Sequence, residues 1–346
     1  MKKKIFGIVY IVLTLGITVY ICLYTADFTS LRNVLGNIRW NWLAGGLGCM
    51  LLYFLFEALP PYLVYKHHGY HLPFWQSVKV AMIGLYYSGI TPSSTGGQPM
   101  QVYYYSKMKL PIGLSSYISV LKFIGFQSVM SIVCFGGFLI KRSYITAHFP
   151  TAVKFMYLGV GINVVLLAGT AVLLYRPAIL HRFLNFVMKI IAKFVGRKAV
   201  HLRKKGREEI ENFYASFRYS KKDLRDSMTV IGCSALQIFA YLSVSFFIHK
   251  AFAMPAESFW LLFIIQAQVV CAVSFIPLPG SAGAQEVGYY SFFLPFFGES
   301  AIFPAMILWR ILSSYLAILT GAVCVTVDTT RGFFRKKEDK NTAEQV

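Results

Sequence analysis

Glu57, Lys122, Gln127, Glu286 and Arg310 lie within or beside strongly apolar stretches of the sequence. An ionised side chain at that depth in a bilayer costs about 2.5–3.5 kcal/mol or more unless it meets a partner or water, so these groups should face a protein interior. Lys offers a point charge and Arg a bidentate fork, a combination suited to the oxygens of a phosphate. Glu286 would either hold an amine or neutralise Arg310. The alternative for the charged ones is a set of internal ion pairs that hold the structure's two halves together.

Close to these residues two apolar stretches break. The first break is Thr91-Pro-Ser-Ser-Thr-Gly-Gly-Gln-Pro99 and the second is Pro277-Leu-Pro-Gly-Ser-Ala-Gly-Ala-Gln-Glu286. Gly96, Gly97, Gly280 and Gly283 permit backbone angles and close approaches that a side chain forbids. Ser93, Ser94, Thr95, Gln98, Ser281 and Gln285 add hydroxyls and amides, and Pro279 helps to end the helix before it. A tip of this kind, with a half-helix N-terminus behind it, can present N–H donors to an anionic group. Otherwise each break is a kink whose hydroxyls satisfy the freed carbonyls. The substrate-binding candidates are Ser93, Thr95, Gly96, Gly97, Gln98, Lys122, Gln127, Pro279, Gly280, Ser281, Gly283, Gln285, Glu286 and Arg310.

The elements that must position them follow from hydropathy. Hydrophobic residues make up 56% of the 346 and charged residues only 14%, which places the chain among all-α polytopic membrane proteins. Runs long enough to cross the hydrocarbon core are expected near Ile5–Tyr24, Trp42–Val64, Ile112–Ile140, Val153–Tyr175, Ser227–His249 and Ala301–Val327, six full spans. Val78–Tyr105 and Phe259–Phe297 carry the breaks. The limb from Lys79 to Ile90 is too short to cross about 30 Å at about 1.5 Å per residue, which favours a re-entrant hairpin. Glu257–Ile276 is long enough to span, but the return limb Val287–Phe297 is not.

With Lys2, Lys3 and Lys4 on the cytoplasmic side, Lys66, Lys107, Lys109, the segment Arg176–Asp226 and the C-terminal tail fall there too. Only Arg32, Arg39, Lys141, Arg142, Lys154 and Lys250 fall opposite, a positive-inside asymmetry that places both termini in the cytoplasm. It also accounts for the net charge of +20 without nucleic acid, since no recognition motif accompanies the basic residues. The first hairpin then enters from the cytoplasm and the second from outside. Residues 42–140 (hairpin 78–105) and 227–327 (hairpin 259–297) form two repeats of opposite topology within one membrane domain, 1–346. Binding sites of such transporters lie at the repeat interface.

Arg176–Asp226 holds fourteen Lys or Arg against five Asp or Glu. Its first part, Ala178–Val195, is amphipathic, either resting on the inner leaflet or serving as a solvated connector. Residues 328–346 form a tail. Cys22, Cys49, Cys134, Cys233, Cys271 and Cys324 lie in apolar segments without paired spacing, so neither disulfides nor zinc sites are expected. His67, His68 and His71 are expected in a polar membrane-edge loop rather than around a metal, since no fourth ligand of suitable spacing follows. The N-terminal apolar run is too long for a signal peptide and is expected to remain as a span.

TPSSTGGQPMQVYYYSK and the later PLPGSAGAQEVGYY resemble the paired signatures of the lysylphosphatidylglycerol synthase transmembrane region. This is the flippase-like membrane half of the MprF family, and the resemblance runs from about Ile5 to Val327. Thr95, Gly96, Gly97 and Gln98 occupy the first signature. Pro279, Gly280, Gly283 and Glu286 fit the second, and Trp309-Arg310 resembles the family's Arg-bearing final span. Many members carry an acidic residue after Gly-Gly, or an acidic-basic pair in the span after the first hairpin; Gln98 and Leu121-Lys122 depart from that pattern. The synthase domain that joins lysine to phosphatidylglycerol is not expected here, because the sequence ends at Val346, soon after its last span.

The resemblance implies a translocase that moves an anionic or aminoacylated phospholipid, such as lysylphosphatidylglycerol, or a related lipid-linked head group between leaflets of the plasma membrane. It also implies resistance to cationic antimicrobial peptides through a less negative outer surface. Lys122 and Arg310 would meet phosphate and Glu286 any amine. No cofactor and no catalytic activity of its own are expected. The partners expected are membrane phospholipid, a separate synthase and a second copy of the chain. Two rivals remain: a secondary transporter of a small polar solute, and a membrane enzyme acting at the head group.

Overall fold

A computed structural model of the chain describes residues 36, 38–176 and 224–343 except 274, 275, 277 and 279, with scattered residues between 178 and 218. The expected span Ile5–Tyr24, residue Pro279 and most of the amphipathic segment Ala178–Val195 lie outside the described residues. The elements are helical: α1 (Trp40–His67), α2 (Phe74–Ile90), α3 (Gly97–Lys107), α4 (Ile112–Ile140), α5 (Arg142–His148) and α6 (Pro150–Tyr175). Beyond the connector follow α7 (Arg225–Ala251), α8 (Phe259–Val273), α9 (Ala284–Arg310), a π-helical turn (Ile311–Tyr315) and α10 (Leu316–Ala343). Among the described residues, five helical stretches are long and apolar enough to cross a membrane: Trp40–His67, Ile112–Ile140, Val153–Val172, Arg225–Ala251 and Ala284–Thr329. The protein is an all-α polytopic membrane protein.

The first broken region reaches further than hydropathy suggests. The first limb begins at Phe74 rather than Lys79, and α3 runs to Lys107. Trp75 at the start of α2 is exposed, as an aromatic side chain at a membrane interface can be. At about 1.5 Å per residue α2 rises about 25 Å and α8 about 22 Å, both short of the hydrocarbon thickness. In the second region α9 continues past its return limb through Gly298, whose φ of 67° breaks the helix direction, into the final helical stretch. The limbs α2 and α3 pack on each other, as do α8 and α9. Two glycines set the spacing: a Cβ on Gly97 would lie 2.7 Å from the Gly84 carbonyl oxygen, and one on Gly84 would strike the Gln101 side chain.

The bundle is organised on α1 and α7, which run antiparallel along their whole length. At one end Arg39 N–H donates to the Ala251 carbonyl at 2.9 Å. Gly45 packs against the Phe247 ring, and the Tyr53 and Tyr241 rings lie 5.6 Å apart. Further along, Gln237 donates to Glu57 at 2.9 Å, and at the far end Asp226 meets His67 and His68. Around this axis α10 packs on α2 and α4 on α8, so each broken region is flanked by a helix from the other half of the sequence. Gly321 lets α10 approach the α2 backbone, since a Cβ there would lie 2.3 Å from the Met82 carbonyl oxygen. Lys79 of α2 pairs with Asp328 of α10. The connector touches the bundle as well, with Phe213 and Tyr214 buried against Tyr117 and its neighbours.

Candidate functional site

The first break is a tight turn with its backbone groups satisfied locally. Thr91 Oγ1 donates to the Tyr87 carbonyl at 2.6 Å and accepts from Gly96 N–H at 2.8 Å, so one hydroxyl joins the end of α2 to the start of α3. Ser93 and Ser94 hold φ of 50° and 55°. The left-handed region costs a residue with a Cβ about 1–2 kcal/mol, and such strain concentrates at functional sites. At the second break Gly280 (φ 56°), Ser281 (φ 51°) and Gly283 (φ 82°) repeat the device.

The two tips meet on one cavity of about 360 Å³, lined by Ser88, Ser93 and Ser94 from the first region and by Gly280, Ser281 and Gln285 from the second. Arg310, Ser313, Ser314, Tyr53 and Tyr241 complete its wall. A neighbouring cavity of about 280 Å³ shares Tyr53, Ser88, Ser93 and Ser94 and extends to Glu57, Gln98, Gln101, Lys122, Gln127 and Gln237.

Arg310 is buried at 2% exposure beside Glu286 at 3%. Its Nε lies 2.8 Å from Glu286 Oε1, while its Nη1 donates to Gln285 Oε1 at 2.6 Å and to Ser314 Oγ at 2.9 Å. The π turn after Arg310 carries Ser313 and Ser314 into the cavity wall, and single π turns of this kind are frequent at functional sites. Glu286 also accepts from Gly283 N–H at 2.7 Å, which caps α9 and sets a carboxylate at its positive end. Of the two contacts expected of Glu286, an amine or Arg310, the structure contains the one with Arg310. Nη2 has no hydrogen-bond partner among the described residues, and Arg310 lines the space between the tips. Tyr289 stacks between Phe293 and Trp309, at centroid distances of 4.4 and 4.7 Å, and stiffens this corner.

Lys122 is arranged differently. Pro61 in the middle of α1 has no N–H, so the Glu57 carbonyl four residues earlier loses its helical partner. Lys122 Nζ fills that place at 3.1 Å and donates also to Glu57 Oε1 at 2.5 Å and Gln101 Oε1 at 3.3 Å. Its three N–H groups are thereby engaged. Gln101 and Gln237 donate to the two oxygens of Glu57 at 2.8 and 2.9 Å, so the carboxylate is held by α3, α4 and α7 together. The acidic partner missing beside Lys122 in the sequence is supplied by another helix.

Among the sequence candidates, Ser93, Gly97, Gln98, Lys122, Gln127, Gly280, Ser281, Gln285 and Arg310 line the joined cavities. Gln127 is paired with Asn163. Thr95 is exposed and donates to the Pro92 carbonyl at 2.9 Å, and Gly96 caps α3; neither lines the cavities. Gly283 faces a separate apolar groove. Sequence reasoning missed Gln101, Gln237, Ser88 and Ser314. Gln237 carried a usable signal, an amide in the middle of an apolar span, the same signal that singled out Gln127.

Comparison with known proteins gives two matches. A family model described as the lysylphosphatidylglycerol synthase TM region matches residues 6–321. Over 336 residues the chain is 25% identical to a UPF0104 membrane protein of Archaeoglobus fulgidus, a match covering 95% of this chain and 98% of that protein.

Proposed function

Because the chain belongs to the lysylphosphatidylglycerol synthase TM-region family, we propose that it moves an anionic or aminoacylated phospholipid, or a related lipid-linked head group, between the leaflets of the plasma membrane. The observation that carries this reading is the setting of the second tip. On one side it borders the polar cavity, which Arg310 lines; on the other it borders an apolar groove of about 570 Å³ lined by Phe149, Phe155, Ile276, Leu278, Val287 and Phe292. Val273 lines both. A head group seated between the tips would have its acyl chains beside it, whereas a small polar solute would have no use for the groove.

The antiparallel α1 and α7, and the packing of each broken region against a helix from the other half, support an inverted repeat whose halves rock about this cavity with the termini cytoplasmic. Arg310 is the ligand-facing cation, and Lys122 with Glu57 fixes the first tip. A phosphatidylglycerol with a photoreactive group in its head group tests the reading. Labelling should concentrate in peptides containing Ser93, Ser94, Ser281 and Gln285, and excess free glycerol phosphate should leave most of it intact. Labelling confined to the outer surface of the bundle would overturn the proposal, and full protection by the soluble head group would favour a solute transporter.

A further inference from the structure

We propose that His67, His68 and Asp226 form a site for one divalent transition-metal ion of the Zn2+ type, at the end of the bundle opposite Arg39 and Ala251. One ligand atom from each residue lies within 4.8 Å of the other two. His67 Nδ1 is 2.7 Å from Asp226 Oδ1, and His68 Nε2 is 2.9 Å from Asp226 Oδ2. Tetrahedral zinc with bonds of about 2.0–2.2 Å needs ligand atoms about 3.3 Å apart, so to admit the ion both imidazoles would draw back from the carboxylate by about half an ångström and turn toward one of its oxygens.

Two consecutive imidazoles reach one carboxylate through different ring nitrogens, His67 by Nδ1 and His68 by Nε2. His67 is the last residue of α1 and His68 its C-cap (φ −85°, ψ 11°), with Gly69 turning the chain at φ 79°. His68 N–H and Gly69 N–H bond back to Val64 and Lys66, which fixes the turn. Asp226 comes from the first turn of α7 and is 1% exposed. A carboxylate taken so far out of water needs a cation or strong donors. Two imidazoles and a carboxylate form a borderline set that suits zinc, nickel or copper over calcium or magnesium. Three protein ligands leave a fourth position for water. His67 is part of a helix rather than a loop, and the further ligand that sequence spacing lacked arrives from α7. The ion would staple α1 to α7, the antiparallel pair that carries Glu57 and Gln237.

The test uses the full chain purified in detergent on a tag without histidines, stripped with a chelator and titrated with Zn2+. One ion per chain should survive gel filtration, and Co2+ in its place should give visible ligand-field absorption. His67→Gln with His68→Gln should weaken binding by about tenfold or more, with helix content by circular dichroism unchanged. His68→Gln alone provides an intermediate if the pair expresses poorly. Wild-type protein that emerges without stoichiometric metal and gives no Co2+ spectrum would overturn the site, as would a well-folded double variant that keeps wild-type binding.

Discussion

Arg310→Ala should abolish lipid movement and also destabilise the protein, by about 3–5 kcal/mol, because Glu286 is then left buried without its partner. Glu286→Ala should cost a similar amount, since it strands the guanidinium and removes the cap on Gly283 N–H. The informative variant is the pair Arg310→Met with Glu286→Gln. Removing both charges avoids a lone buried ion, so thermal melting in detergent should recover most of what either single change loses. Transport should not recover with it. A guanidinium lining the cavity can offer a head-group phosphate charge-assisted hydrogen bonds worth about 1.5–3 kcal/mol, and their loss corresponds to about 10–100-fold weaker head-group binding. A folded double variant that moves lipid at the wild-type rate would return Arg310 to a structural role.

Lys122→Ala should destabilise the fold by a comparable amount, about 3–5 kcal/mol, because Glu57 then faces only the amides of Gln101 and Gln237. The expected difference lies in the double variant. Lys122→Met with Glu57→Gln removes both charges and should restore melting while keeping a substantial part of the transport rate, since the three Lys122 donors serve Glu57 and Gln101 rather than a ligand. Measured side by side, the two neutralised pairs separate a binding cation from a positioning one. Equal loss of transport in both, with both folded, would make Lys122 a second contact for the head group.

The long spans were legible because runs of apolar residues admit few other structures, and the tips because Pro and Gly interrupt those runs at depth. The shared cavity was foreshadowed by Lys122 and Arg310 lying near opposite breaks. Limb boundaries were harder: Trp75 and Gln76 open α2 beyond the purely apolar run, since an interfacial helix end tolerates amphipathic side chains. Partner choice was not legible. Glu57 meets Lys122 across 65 positions, and only the packing of α1, α3, α4 and α7 brings the pair and its amides together. One local clue existed, because Pro61 must free the Glu57 carbonyl four residues earlier. The π turn after Arg310 left no mark in composition, although it sets the angle between Arg310 and Ser314.

Leaflet exchange through the cavity between the tips is the event on which the proposed function stands. Fluorescent phosphatidylglycerol in unilamellar proteoliposomes measures it directly, with dithionite added outside, in the presence and absence of an imposed proton or sodium gradient. Wild-type protein should give quenching beyond the outer-leaflet pool, and the folded Arg310→Met, Glu286→Gln pair quenching of that pool alone. Wild-type vesicles that behave as empty ones under every gradient, for both phosphatidylglycerol and its lysyl derivative, would contradict the proposed function.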